Sequence, residues 1–121
     1  MKNANEYKLR EAALSDISTL VEQRKTMFTE IRSTKDRRPL NSMCLAYRRY
    51  LDERLRSGRT KAWLVENQEG TVVAGGVVSI NDWPPLPNDP SARRAYAFNM
   101  HTHLNHRRRG LARTIMETII R

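Results

Sequence analysis

Apolar side chains recur at helical spacing in two stretches of the N-terminal half of the chain. The first stretch covers residues 14–31. A polar, basic connection over residues 33–40 separates it from the second stretch, for which Asn41 is the expected cap and Gly58 the expected stop. The apolar positions of the second stretch are Met43, Cys44, Tyr47, Tyr50, Leu51 and Leu55. The pattern predicts two amphipathic helices in succession.

Short apolar runs bounded by turn residues predict strands. Residues 7–10 alternate weakly and form a candidate first strand ahead of the helices. Residues 61–66 and 71–80 flank a short polar turn and predict an antiparallel hairpin. Gly75 and Gly76 interrupt the second arm of this hairpin, which indicates a bulge or a close approach of another backbone.

The last quarter of the chain changes from strand to helix. Residues 82–91 hold four of the five prolines and predict a long loop. An aromatic and apolar strand begins at Ala95 and runs to about His103. A helix follows, because Leu111, Ile115 and Ile119 repeat every four residues.

The junction between this strand and helix carries an unusual charge. A helix N-terminus has partial positive charge and normally attracts acidic residues, whereas Arg107, Arg108 and Arg109 crowd it here. A bound anion would resolve the conflict, because free N–H groups at a helix start, with Gly110 allowing close approach, form a phosphate cradle. A solvated basic turn is the alternative.

The segment Arg107-Arg-Arg-Gly110-Leu-Ala112 resembles the Arg/Gln-x-x-Gly-x-Gly/Ala signature of the GNAT superfamily of N-acetyltransferases. The resemblance implies an α/β (α+β) fold with a mixed, mostly antiparallel sheet flanked by helices, in the order β-α-α-β-β-β-α. It covers the chain as one unit, residues 1–121, that corresponds to the N-terminal portion of a GNAT domain. The usual C-terminal strand, helix and further strands would be lacking.

The resemblance also implies the acetyl donor, acetyl-coenzyme A, and the residues that bind it. Backbone groups of the strand are expected to pair with the pantetheine arm, and amides of the signature are expected to face the pyrophosphate. Arg107 or Arg113 is a further candidate for charge near the 3′-phosphate. The expected cofactor-binding residues are Met100, His101, Thr102, Arg107, Arg108, Arg109, Gly110, Leu111, Ala112 and Arg113.

Three residues are candidates for catalysis. The backbone N–H of Met100 matches, by position, the family's donor to the developing oxyanion. His101 or His103 is a candidate base, since histidine titrates near neutral pH, with Asp82 and Asn99 as alternatives. His101 and His103 are expected on one face of the strand, but no metal site is predicted because the ligand set is incomplete.

Composition adds a second interpretation. The 22 basic and 13 acidic residues give a net charge of +9, which favours anionic partners such as a polyphosphate cofactor or nucleic acid. The arginines of the second helix, at positions 48, 49, 54 and 56, are interpreted as a solvated face. The single cysteine, Cys44, excludes an intrachain disulfide, and no run reaches membrane-spanning length, so a cytoplasmic location is expected.

The sequence therefore predicts an N-acetyltransferase that acetylates a primary amine of a small molecule or protein. One alternative is a truncated, inactive GNAT-like protein that binds acyl-coenzyme A, and another is a basic nucleic-acid-binding module. The strand around residues 95–103 would lie at an open sheet edge. A homo-oligomer, such as a dimer, is therefore expected to cover it.

Overall fold

The computed structural model describes residues 6–31 and 37–120 and arranges them as an antiparallel sheet with helices on both faces. The elements are β1 (Tyr7–Glu11), α1 (Ile17–Ile31), α2 (Arg38–Ser57), β2 (Thr60–Asn67), β3 (Val72–Asp82), β4 (Arg93–Thr102) and α3 (Leu111–Ile120). The predicted order β-α-α-β-β-β-α and the α/β class are confirmed. No helix in the described part of the chain is long and apolar enough to cross a lipid bilayer.

The strands follow one another across the sheet in the order β1-β2-β3-β4, and each neighbouring pair is antiparallel. The hairpin of β2 and β3 is therefore confirmed. Strand β4 begins at Arg93, two residues before the predicted start at Ala95. Its outer side has no partner strand among the described residues, which leaves backbone N–H and C=O groups free at this edge.

The sheet is buried on both faces. Helices α1 and α2 cover one face, where Leu20 and Leu51 pack with Leu64 of β2. Helix α3 covers the other face, where Ile115 packs with Val65, the next residue of β2. Successive residues of β2 are therefore apolar, in contrast to the alternation of a strand with one solvated face.

Helix α2 begins four residues earlier than the sequence pattern predicted, with Arg37 and not Asn41 at the cap position. It starts at Arg38, and the N–H of Asn41 already donates to the carbonyl of Arg37 at 2.9 Å, so the expectation that Asn41 caps the helix was wrong. Pro39 lies in the first turn, where a missing N–H costs nothing because that N–H has no intrahelical acceptor. Residues 32–36 of the predicted connection lie outside the described part of the chain.

The end of α2 is held against the sheet. Gly58 follows the helix with a φ of 75°, which confirms its predicted role. Arg54 does not belong to a solvated face as expected. Its Nε donates to Oγ1 of Thr60 at 3.0 Å, and its guanidinium carbon lies 5.1 Å from the ring centroid of Tyr50. Arg54 therefore links the end of α2 to the start of β2 through this hydrogen bond, and its guanidinium packs on Tyr50.

Candidate functional site

Strand β4 contains a bulge opposite the glycine pair of β3. Gly75 pairs with His101 and Val77 pairs with Phe98, so Gly76 alone faces the two residues between them. One of these, Asn99, has a φ of 57° and is buried. The bulge predicted from the glycines is confirmed, although the extra residue belongs to β4.

The bulge reverses the direction of the side chains that follow it. In a regular strand, residues two apart share a face. Here Phe98 packs against the core under α1 and α2, whereas Met100 packs against the core under α3. Because neighbours alternate, His101 turns toward α1 and Thr102 toward α3. The half of β4 beyond the bulge thus presents a different set of side chains from the one that strict alternation predicts.

The glycine pair is closely approached by side chains, and not by another backbone as the alternative prediction had it. A Cβ built on Gly76 would lie 2.6 Å from Sδ of Met100 and 2.7 Å from Cγ2 of Ile115. A Cβ on Gly75 would overlap the side-chain amide of Gln23 on α1. The two glycines therefore allow α1 and α3 to press on the sheet from opposite faces at the level of the bulge.

The end of β4 leaves a backbone donor at the free edge. The N–H of His103 donates to the carbonyl of Val73 at 2.7 Å. Because antiparallel strands alternate the direction of their backbone groups, the N–H and C=O of Thr102 point away from β3. The carbonyl of Thr102 accepts from Nε of Arg107 at 3.0 Å. The N–H of Thr102 remains directed outward.

Helix α3 begins with N–H groups that have no partner among the described residues. The carbonyl of Gly110 accepts from the N–H of Thr114 at 3.0 Å, which sets the first helical bond. The N–H groups of Leu111, Ala112 and Arg113 therefore have no acceptor within the helix. No described side chain accepts from them either. Together they present the positive end of the helix dipole to any anion that approaches.

Gly110 keeps the space in front of this helix end open. Its φ is 76°, and a Cβ built on it would have no heavy atom within 4 Å. Arg108 also has a positive φ, 64°, which is strained for a residue with a side chain. The turn before α3 is thus shaped by two left-handed residues, and its surface at Gly110 is backbone rather than side chain.

The free edge of β4 and the start of α3 open onto one cavity of about 510 Å³. Its lining includes Met27 and Glu30 from α1, Met100, His101 and Thr102 from β4, and His106, Arg107, Arg108, Gly110, Leu111, Ala112 and Arg113 from the junction and α3. The structure thus brings together nine of the ten residues predicted to bind the cofactor. Arg109 is not part of the lining. The volume is that of a small-molecule site.

The arginines of the junction have different partners. Nη2 of Arg107 lies 3.0 Å from Oε2 of Glu30, so this side chain ties α1 to the end of β4. Nη1 of Arg109 donates to the Tyr7 hydroxyl at 2.7 Å, away from the cavity. Arg113 is 84% exposed and lies 3.9 Å from Glu117. Of the two arginines considered for the 3′-phosphate, only Arg113 is largely free to move.

The histidines are separated by the end of the strand. His101 lies within β4 and is only 9% exposed, whereas His103 lies beyond β4 and is exposed. His103 follows the last residue of β4, and its N–H still bonds to Val73 of β3, so the expectation that the two histidines share one face stays a prediction. Burial lowers the pKa of His101 below its ordinary value; Glu30 opposes this shift, while Arg107 and His103 add to it. His101 is thus neutral near pH 7 and able to accept a proton.

Beyond the strand, the third histidine, His106, is held by the Tyr7 hydroxyl, which lies 2.9 Å from Nδ1. No group of three or more metal-ligating side chains occurs among the residues that the structure describes. Of the alternative bases, Asn99 is buried in the bulge, and Asp82 is exposed at the end of β3.

A second cavity, of about 450 Å³, lies on the other side of the bulge. We call it the aromatic cavity; its lining includes Arg24, Met43, Ala46, Tyr47, Tyr50, Tyr96 and Phe98. The cavity was not predicted from the sequence, because the aromatic residues were interpreted as core positions of a helix and a strand. The sequence did hold one indication of this cavity. Tyr47 and Tyr50 are spaced to share a face of α2, and Tyr96 and Phe98 are spaced to share a face of β4.

Unpaired polar atoms concentrate around the bulge and the aromatic cavity. Four buried side-chain atoms lack a hydrogen-bond partner in the described part of the chain. They are Oε1 of Gln23, Nε of Arg24, the hydroxyl of Tyr47 and Oδ1 of Asn99. Buried polar groups are rarely left unpaired, so a cluster of four such atoms is an unusual feature of this region.

Comparisons with known proteins agree with this geometry. The model of the GNAT acetyltransferase family matches residues 20–121. A GCN5-related N-acetyltransferase from Ralstonia eutropha JMP134 is 28% identical with a TM-score of 0.80, and the match covers 93% of this chain and 72% of that protein. No protein of curated function matches the sequence.

Two further solved structures have the same fold at lower identity. A predicted acetyltransferase from Clostridium acetobutylicum, solved with acetyl-CoA, is 22% identical with a TM-score of 0.81, and the match covers 94% of this chain and 71% of that one. A glucosamine-6-phosphate N-acetyltransferase from Arabidopsis thaliana is 17% identical with a TM-score of 0.63. That match covers 94% of this chain and 71% of the Arabidopsis protein. With the family match over most of its length, the chain belongs to the GNAT family of acetyltransferases.

Proposed function

We propose that this protein is an N-acetyltransferase that transfers the acetyl group of acetyl-coenzyme A to a primary amine of a small molecule or protein. One observation carries the proposal: the unpaired N–H groups of α3 and the free edge of β4 open onto the same cavity. An anion site and an unpaired strand edge are the two features that a pyrophosphate with an extended amide-containing arm requires. Membership of the GNAT family supports the same reaction.

We propose that each part of the donor occupies a different part of this cavity. The pyrophosphate lies against the N–H groups of residues 110–113, where Gly110 leaves room for it. The pantetheine arm runs along β4 and takes the outward N–H of Thr102. Arg108 and Arg113 line the same cavity and add positive charge. A Clostridium acetobutylicum protein with the same fold was solved with acetyl-CoA, which supports acetyl-CoA as the donor.

The chemistry requires a neutral amine and a donor for the developing oxyanion. The amine nitrogen attacks the thioester carbonyl carbon and forms a C–N bond, and the amine proton passes to a base. The C–S bond breaks, and coenzyme A leaves as a thiolate that takes up a proton from solvent. We assign the base to His101, which faces α1 beside the cavity and whose lowered pKa keeps it neutral, with His103 as the alternative. The backbone N–H of Met100, in the bulge, is the proposed oxyanion donor.

Turnover is the direct test. The full chain is incubated with acetyl-coenzyme A and a panel of primary amines, and free thiol is measured against a blank without amine. Thiol release that saturates with both substrates supports the proposal. Saturable binding of acetyl-coenzyme A with no release for any amine contradicts catalysis and favours the alternative function, an inactive acyl-coenzyme A-binding protein.

We also propose that the protein is a cytoplasmic homo-oligomer, in which a second copy covers part of the open edge. The first half of β4, residues 93–97, is largely exposed and lies outside the cavity of the cofactor. A second copy can therefore pair there without displacing pantetheine. Sedimentation at several protein concentrations tests this: a species of one 14.1 kDa chain at all concentrations contradicts it.

A further inference from the structure

The hydroxyl of Tyr7 joins the first strand to the turn in front of α3. It lies 2.9 Å from Nδ1 of His106 and accepts from Nη1 of Arg109 at 2.7 Å. These two partners follow Tyr7 in the sequence by 99 and 102 residues. They stand at the two ends of the turn, with Arg107 and Arg108 between them. One hydroxyl on the sheet therefore holds both ends of the turn that leads into the proposed phosphate site.

This hydroxyl acts both as an acceptor and as a donor. An arginine side chain carries only donors, so Arg109 donates and the Tyr7 oxygen accepts. The proton of the hydroxyl is then available to Nδ1 of His106. The rings of Tyr7 and His106 also meet edge to face, with their centroids 5.8 Å apart. A phenyl ring at position 7 would keep this ring contact and lose both hydrogen bonds.

Few backbone hydrogen bonds hold the turn. Arg108 has a φ of 64°, a left-handed conformation that is costly for a residue with a side chain and persists only where the surroundings hold it. The N–H groups of Arg108 and Arg109 have no acceptor within the described part of the chain. The N–H of Arg107 reaches the carbonyl of Leu104 only at 3.5 Å. Side-chain bonds therefore hold the turn, from Arg107 to the end of β4 and from Tyr7 to its two ends.

Tyr7 is itself fixed by the sheet. It is the first residue of β1 and pairs with Asn67 of β2. Its ring packs against the core cluster under α3, which includes Leu111 and Ile115 of that helix. The position of the turn is thus tied through one side chain to the same sheet that carries β4.

We propose that Tyr7 is a positioning residue for the acetyl donor. This inference rests on the proposed acetyltransferase function. Tyr7 does not line the cofactor cavity, so its hydroxyl acts through the turn and not by contact with the donor. By holding His106 and Arg109, it keeps the N–H groups of residues 110–113 at a fixed distance from the free edge of β4. The pyrophosphate and the pantetheine arm are parts of one molecule, and a site preorganised for both binds it with less ordering cost.

A comparison of Tyr7→Phe with Tyr50→Phe separates this role from a general loss of stability. Each variant removes one hydroxyl and keeps the aromatic ring. The Tyr50 hydroxyl lies 2.6 Å from Oγ of Ser79, on the face of the sheet opposite to Tyr7. In calorimetry on the full chain, Tyr7→Phe should bind acetyl-coenzyme A about five- to thirtyfold more weakly than the wild-type protein, because two hydrogen bonds are lost. Tyr50→Phe should bind it with unchanged affinity.

The separate halves of the donor give a readout that lost stability alone would not produce. In NMR titrations, Tyr7→Phe should bind inorganic pyrophosphate more weakly than the wild-type protein does. Its affinity for S-acetylpantetheine, which lacks the pyrophosphate, should be unchanged. A variant weakened only by partial unfolding would lose affinity for both ligands alike.

Equal affinity of the wild-type protein and Tyr7→Phe for acetyl-coenzyme A would overturn the inference. So would an equal loss in Tyr50→Phe, or an equal loss for pyrophosphate and S-acetylpantetheine. The proposed function fails in a different way. If the wild-type protein binds acetyl-coenzyme A but releases no thiol with any amine, catalysis is contradicted while the role of Tyr7 in donor binding is still measured. If the wild-type protein binds no acetyl-coenzyme A, both proposals fail.

Discussion

The sulfur of Met100 lies so close over Gly76 that a Cβ on the glycine would be only 2.6 Å from it. Met100 sits in the bulge of β4, and Gly76 is the single residue of β3 opposite that bulge. Ile115 of α3 packs on the same point. One contact that only glycine permits therefore positions the bulge, the free edge after it and the start of α3.

Gly76→Ala is expected to destabilise the protein by about 1–3 kcal/mol, because the added methyl group overpacks a filled core. It should also weaken acetyl-coenzyme A binding, since Met100 and α3 must both shift. Urea unfolding measures the first effect and calorimetry the second.

The double variant Gly76→Ala/Met100→Ala is the control. Removing the Met100 side chain frees part of the space that the new methyl group needs, so the two changes should cost less together than the sum of their separate costs. Strict additivity would show that the contact between Gly76 and Met100 is not the source of the destabilisation.

Gly110 and Gly58 form a matched pair for the phosphate cradle. Both have a positive φ, 76° and 75°, and both would place a Cβ in open space. Alanine at either site should cost about 1–2 kcal/mol of stability, because an L-residue is strained in this conformation. Only Gly110→Ala places a methyl group where the pyrophosphate is proposed to lie, so only this variant should lose affinity for acetyl-coenzyme A.

The comparison is made by thermal unfolding and calorimetry on both variants. Equal affinity of Gly110→Ala and Gly58→Ala for acetyl-coenzyme A would contradict the assigned cradle.

Glu30 is a negative charge at the edge of a site built for anions. Its carboxylate pairs with Arg107 at 3.0 Å, and both side chains are partly exposed, at 48% and 41%. Glu30→Gln removes repulsion of the phosphates and releases the charge of Arg107. We expect acetyl-coenzyme A to bind about two- to fivefold more tightly at low salt, with the gain declining as salt increases.

Asp52→Asn is the control, because it removes one negative charge from α2, where Asp52 pairs with Arg56 away from the cavity. It should leave the affinity nearly unchanged. The prediction fails if the two variants bind the donor equally, or if Glu30→Gln binds it more weakly than the wild-type protein.

His101 makes stability depend on pH. Its pKa in the folded protein is lowered, chiefly by burial, whereas in the unfolded chain it is near the ordinary value of 6.5. The unfolded state therefore binds more protons, and the free energy of unfolding decreases as the pH falls below about 6.5 toward the folded-state pKa. The slope from one such group cannot exceed about 1.4 kcal/mol per pH unit.

Urea unfolding between pH 7.5 and 5 measures this slope. His101→Gln should flatten it, and His103→Gln, at an exposed position outside β4, should keep it. A slope that survives His101→Gln unchanged would assign the pH dependence to another group.

The sequence predicted the element order well because each element carries its own periodicity and its own punctuation. Gly58 ends α2, the glycine pair marks the bulge, and Leu111 begins α3, all as local patterns indicate. The start of α2 was predicted wrongly because Pro39 was taken to lie outside the helix. Proline is tolerated in the first helical turn, so the helix begins before Pro39, and Asn41 lies inside it and not at the cap.

The site was less predictable where it depends on pairs distant in the sequence. The partner of Arg107 is Glu30, 77 residues earlier, and that of Arg109 is Tyr7, 102 residues earlier. The reversal of side-chain direction after Asn99 could not be predicted from the two-residue alternation of a strand, because it follows from one left-handed residue.

An NMR titration of the ¹⁵N-labelled chain with acetyl-coenzyme A tests most directly whether the start of α3 binds the donor. If it does, saturable shifts will be concentrated in the backbone amides of Gly110, Leu111, Ala112 and Arg113, with a second set at Met100 and Thr102. Inorganic pyrophosphate should reproduce the first set without the second. An absence of saturable shifts at residues 110–113, in a sample whose spectrum shows a folded protein, would contradict the claim that the start of α3 is the donor-binding site.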